Sequence, residues 1–190
     1  MKHGFVSGEN DPSVAPTARM LSWARNSTVY RLSRRMMSEH ELAIAIRRKA
    51  RSKFEDISEE QLLALIAVAL DCGRKLGGLD DRVYADAKVR SAVRGGKSKR
   101  AISRKLLEKG INRQLIDNAL GNADDFRAAL AYARKRALGP FRRVDADEKR
   151  IGREFASLVR NGFEMDLSKQ ILRMNRDEAE EVLSSHTNWQ

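Results

Sequence analysis

Leu106-Leu107-Glu108-Lys109-Gly110-Ile111 is followed, fifty-two residues later, by Leu158-Val159-Arg160-Asn161-Gly162-Phe163, the same local pattern written a second time. After each glycine a short helix carries paired apolar residues, Leu115, Ile116, Ala119 and Leu120 in one copy and Leu167, Ile171 and Leu172 in the other. A repeat of this length holds three short helices. A first copy, near Leu42, Ile46, Lys49 and Ala50, fits more loosely and carries an insertion from Arg51 to Asp56.

Working outward, helix signals follow one another with no alternating segment between them. Ser38-Glu39-His40-Glu41 is a capping box, in which Ser38 can take the Glu41 amide and Glu41 the Ser38 amide. Ser58-Glu59-Glu60-Gln61 repeats the device. Asp80 is an expected N-cap after Gly77-Gly78, Asn112 can cap a helix after Gly110, and Gly139-Pro140 ends another. Ala85, Val89, Ala92 and Val93 form one helical stripe, and Ile151, Phe155, Leu158 and Val159 form a second. The fold class expected is therefore all-α: three tandem three-helix repeats, 21–76, 77–121 and 122–174. Residues 1–20, with Gly4, Gly8, Pro12 and Pro16, read as a disordered tail. Residues 175–190 read as a C-terminal tail able to form one further helix. Such repeats bury little alone. Three in a row would share cores at their junctions and give an elongated, curved array. A single globular bundle is the competing arrangement, and periodicity leaves both open.

The chain has 190 residues, 42% of them apolar, which excludes global disorder. Its formal charge is +11, so a polyanionic partner is expected, either nucleic acid or an acidic protein surface. Cys72 is the lone cysteine and reads as a core thiol; no disulfide framework exists. The apolar run 62–70 is too short to span a membrane, and the N-terminus lacks a signal-peptide pattern, so a cytoplasmic protein without membrane contact is expected.

Catalytic and metal-binding patterns are missing from the sequence. His3, His40 and His186 are scattered, and one cysteine gives no ligand spacing. Gly96-Lys97-Ser98 ends like a phosphate-binding loop, but position 91 is Ser91 where the motif needs glycine, and a helix precedes it instead of a strand. Asp80-Asp81 and Asp124-Asp125 each open a helix, where carboxylates cap free amides, and a structural role is the stronger reading. No enzyme activity, metal or cofactor is expected.

The basic residues cluster. From Arg82 to Lys109 there are ten Lys and Arg against Asp86 and Glu108. From Asp56 to Asp81 there are six acids against Arg74 and Lys75. Arg90 and Arg94 lie opposite the Ala85/Val89 stripe, and Arg100 and Arg104 lie opposite Ile102 and Leu106 with Lys97 beside them. The resulting two-helix face is either a solvated surface or a docking site for phosphates or acidic residues. Tyr84 is the nearby aromatic, too little for reading bases in sequence.

Four further motifs carry a family resemblance. Leu32-Ser33-Arg34-Arg35, then Ser38 and Glu41-Leu42, resembles the first-repeat signature of the RecX family. Gly78-Leu79-Asp80-Asp81-Arg82-Val83-Tyr84-Ala85 resembles its Leu-Asp-Asp-x-x-aromatic-Ala motif. Arg100-Ala101-Ile102 through Lys105-Leu106 and Lys109-Gly110-Ile111 resembles its middle repeat, and Gly162-Phe163 with Ile171-Leu172 its closing repeat. The resemblance spans residues 21–174. It departs at Ala50, where a glycine is usual, and at Glu164, where a better N-cap is usual.

The resemblance implies three tandem three-helix repeats and a monomer that binds the RecA recombinase filament, with weak or indirect affinity for single-stranded DNA. It also implies interference with ATP hydrolysis, strand exchange and co-protease activity. On this reading Arg90, Arg94, Lys97, Arg100 and Arg104 dock electrostatically on the partner. The rival reading is a DNA-binding protein of helix-turn-helix-like units acting without RecA.

Overall fold

The structure, a computed structural model, describes residues 15–185. Every regular element among them is helical, and no strand occurs. The chain divides into two compact units, the first ending at Asp81 and the second starting at Arg82.

The first unit holds α1 (Ala18–Arg34), α2 (Glu39–Lys53) and α3 (Glu59–Lys75). Both expected capping boxes form. Ser38 Oγ accepts the Glu41 amide at 3.1 Å while Glu41 Oε2 accepts the Ser38 amide at 3.3 Å. Ser58 and Gln61 make the same exchange, each bond 3.1 Å. Leu42, Ile46, Ala50, Leu62, Leu65 and Ala69 are fully buried in the core of this unit. Trp23 meets Phe54 edge-on beside it, with ring centroids 5.3 Å apart. No glycine is needed at Ala50, because α2 runs on through it to Lys53. The insertion is thus half helix, closed by a turn in which Asp56 takes a φ of 51°. Residues 18–20, expected to belong to the tail, are helical instead: Thr17 caps α1 and Met20 is buried. Residues 1–14 of that tail lie outside the described residues.

The remaining helices form two further groups of three. The first comprises α4 (Asp81–Arg94), α5 (Lys99–Glu108) and α6 (Arg113–Leu120) around Tyr84, Ala85, Val89, Ile102, Leu106, Ile111 and Ile116. The second comprises α7 (Asp125–Arg136), α8 (Glu148–Arg160) and α9 (Met165–Arg173) around Ala129, Leu130, Ala133, Leu158, Phe163 and Ile171. Val93 packs against both clusters, so these two groups share a junction. A last helix, α10 (Arg176–Ser184), covers this core with Ala179. Two carbonyls of its last turn, Val182 and Leu183, accept Arg127 Nη1 and Nη2 at 2.8 and 3.1 Å, which satisfies groups a helix end leaves open.

Two local expectations are corrected. Gly139-Pro140 does not end α7. The helix stops at Ala137, a non-glycine residue in the left-handed region, and Gly139–Phe141 forms a separate 3-10 turn. The stripe expected on α8 is also displaced: Ile151 is 41% exposed while Glu154 is 4% exposed. The physical reason is pairing. Glu154 accepts Arg142 Nε at 2.7 Å, Arg150 Nε at 3.2 Å and the Gly139 amide at 3.0 Å, enough partners to hold a carboxylate out of water.

Candidate functional site

The basic stretch is built on α4, the turn after it, and α5. Ala85 and Val89 on α4, and Ile102 and Leu106 on α5, point into one core, so the residues on the opposite sides face solvent. Arg90 and Arg94 on α4, Lys97 in the turn, and Arg100 and Arg104 on α5 are all exposed. None of these five side chains forms an ion pair or hydrogen bond with another described residue. Arg90 and Arg94 are one helical turn apart, as are Arg100 and Arg104, so each pair shares a side of its helix.

The turn that joins the two pairs is tightly fixed. The Gly96 amide donates to Val93 O at 2.9 Å and the Lys97 amide to Ala92 O at 3.0 Å, the Schellman ending of a helix. Gly96 has a φ of 74°, and a Cβ there would sit 2.7 Å from the Tyr132 amide nitrogen of α7. Only glycine lets that helix approach so closely. Ser98, fully buried, caps α5 by accepting the Ala101 amide at 3.2 Å and donates to Asn161 O at 2.7 Å. Asn161 Nδ2 returns a bond to Gly96 O at 3.3 Å. A Cβ on the neighbouring Gly162 would fall 2.5 Å from Ser98 Oγ. Gly96-Lys97-Ser98 is therefore a joint between helices, and it sets the direction of Lys97 and Arg100.

Both Asp-Asp pairs are used in capping. Asp124 accepts the Phe126 and Arg127 amides of its own helix at 2.9 and 3.3 Å. Asp125 instead accepts the Lys99 amide at 2.7 Å, the first residue of α5. Asp81 does likewise for the Glu39 amide of α2 at 2.9 Å. Burial raises the pKa of both Asp81 and Asp125, and the amide bond each accepts partly opposes the rise.

The spacing of charged and apolar residues located the five cations. It did not reveal Gly96, Ser98 and Asn161 as the parts that orient them. The signal available was the Asn161-Gly162 step, which lies in the repeated pattern itself. Among the described residues no group of three or more His, Cys, Asp and Glu could hold a metal. No helix among them is long and apolar enough to cross a membrane.

Comparison with known proteins agrees with this architecture. The pattern of the RecX second three-helix domain matches residues 80–120, which contain α4 to α6. A protein of Agrobacterium fabrum named Regulatory protein RecX is 49% identical over 172 residues, covering 90% of this chain and 94% of the relative. A Myxococcus xanthus protein of the same name is 30% identical over 169 residues, covering 85% and 88%. The crystal structure of RecX from Lactobacillus salivarius superposes with a TM-score of 0.61 over 86% of this chain and 99% of that one, at 23% identity, a likeness of fold. With its helices grouped in threes and 49% identity across 90% of its length, this chain belongs to the RecX family.

Proposed function

We propose that this protein binds a RecA recombinase and its filament on single-stranded DNA and lowers its ATP hydrolysis, strand exchange and co-protease activity. It thereby tempers recombinational DNA repair, acting by binding rather than by catalysis. Family membership supports the reading. The observation that carries it is the set of five exposed, unpaired cations, Arg90, Arg94, Lys97, Arg100 and Arg104, mounted on a joint that leaves little freedom between them. Unpaired guanidinium and ammonium groups on a rigid support steer association with an acidic, DNA-bearing filament and lose little entropy on docking.

The test is ATP turnover by RecA on single-stranded DNA, titrated with wild type and with the Arg90→Glu/Arg94→Glu/Lys97→Glu/Arg100→Glu/Arg104→Glu variant. Inhibition should vanish while the melting temperature barely changes. A folded variant that inhibits like wild type would leave these residues as solvated surface. Tight binding of the wild type to bare DNA, unaffected by RecA, would instead mark an independent DNA-binding protein.

A further inference from the structure

We infer that a second basic site, a groove between the end of α7 and the exposed side of α8, binds the phosphodiester backbone of a nucleic acid strand. The groove measures about 390 Å³ and is lined by Arg136, Arg150, Arg153, Glu154, Ser157 and Arg160. Its single carboxylate is already committed. Glu154 is buried and holds Arg142 and Arg150, so its charge is neutralised from within the protein. Arg136, Arg153 and Arg160 are exposed, and none of the three forms an ion pair with another described residue. Tyr132 and Ser157 join the two walls by a 2.9 Å hydroxyl contact, which fixes α7 against α8.

The chemistry favours phosphate. All four cationic residues are arginines, whose planar forks fit phosphate oxygens in pairs. Arg153 and Arg160 are separated by seven residues, about 10 Å along the helix. That is more than one free anion can bridge, and it suits a chain of phosphates. No lining residue is aromatic, and the adjacent Tyr132 ring is covered by the Arg136 guanidinium, 6.0 Å from its centroid, so contact runs along the backbone without reading bases. This site is separate from the α4–α5 face, and its test does not depend on RecA.

The experiment is fluorescence anisotropy of a labelled oligothymidylate with the full chain at a series of salt concentrations. Wild type should bind at low salt, with affinity falling steeply as salt rises. The Arg136→Gln/Arg153→Gln/Arg160→Gln variant should lose on the order of ten- to a hundredfold in affinity at low salt. Its log–log salt slope should be shallower by about two, since each single-strand phosphate contact contributes about 0.7. An unchanged slope in a variant with wild-type circular dichroism overturns the inference, as does a wild type that fails to bind the oligonucleotide at low salt. Loss of polyglutamate binding with oligonucleotide binding intact also overturns it and assigns the groove to acidic protein. If the triple variant loses helix, Arg153→Lys/Arg160→Lys decides. It keeps the charge and should keep the slope while weakening binding severalfold through loss of the fork. Undiminished affinity in that variant counts against the site.

Discussion

Asp125 accepts a hydrogen bond from the first amide of α5, a helix that begins twenty-six residues before it. An asparagine oxygen can take the same bond without a charge to desolvate, whereas alanine leaves the amide open. We therefore expect Asp125→Ala to lower stability by about 1 kcal/mol and Asp125→Asn to be nearly neutral at pH 7, read from urea midpoints. Burial raises the pKa of Asp125 in the folded state. Its favourable contribution is thus fully present below the ordinary carboxylate pKa and declines as pH rises through the raised folded value. Asp125→Asn lacks that decline, so over this acidic window the asparagine variant should gain on wild type as pH rises. A difference that moves the opposite way would show that the hydrogen bond, which lowers the pKa, outweighs burial. At Ala137, φ is 53° and ψ 50°, a region unfavourable to any side chain with a Cβ. Ala137→Gly should raise the urea midpoint, by roughly 0.5–1 kcal/mol, with an unchanged slope. A lower midpoint would mean that the freedom glycine adds to the unfolded chain dominates.

Helix ends decide how the elements meet, and Gly77 and Gly96 provide a controlled comparison. Both follow a helix with positive φ, 65° and 74°. A Cβ at Gly77 meets nothing within 4 Å, while one at Gly96 strikes the backbone of α7 at 2.7 Å. Gly77→Ala should therefore cost only the conformational strain, about 1 kcal/mol. Gly96→Ala adds an overlap that backbone atoms cannot easily relieve, for a total of roughly 2–4 kcal/mol. Thermal melts of the two variants check this, and equal losses would show that α7 can shift aside. The comparison also explains what was legible in the sequence. Capping boxes and glycine-ended helices could be read because their partners lie within a few residues. The burial of Glu154 could not, since one of its partners, Arg142, comes from a loop twelve residues away. The same holds for Ser98, whose role depends on Asn161 sixty-three residues later. In the candidate site the exposure of the five cations followed from helical spacing, because their apolar opposites had to be buried. The joint that aims them required the third group of helices to be in place, which local sequence does not specify.

At the scale of the whole molecule, the first unit has its own core and the second unit has two cores linked through Val93. Damage should follow that division. Leu106 is 2% exposed, among Val89, Ile102, Ile111 and Ile116. Leu106→Asp removes its packing and places an unpaired carboxylate there, a loss of more than about 4 kcal/mol by cavity and desolvation together. The helices α4, α5 and α6 should lose amide-exchange protection first. The helices α7, α8 and α9 should follow in part, because Val93 and the Ser98–Asn161 bond tie them to the damaged group. The helices α1, α2 and α3 should keep their protection, since Leu42, Ile46, Leu62 and Leu65 fill a core to which Leu106 contributes nothing. Hydrogen exchange followed by mass spectrometry resolves all three groups in one experiment. If α1–α3 lose protection as fully as α4–α6, the two units unfold as one cooperative body. The five-cation variant should show the reverse profile. Exposed charge changes usually shift stability by no more than about 0.5 kcal/mol each, so protection in every group should remain near wild type while the proposed inhibition of RecA is lost. Loss of inhibition with intact protection assigns these cations to docking. Loss of both would mean that the charge reversal had disturbed α4 and α5 themselves, and Arg→Gln changes at the same positions would then separate the two effects.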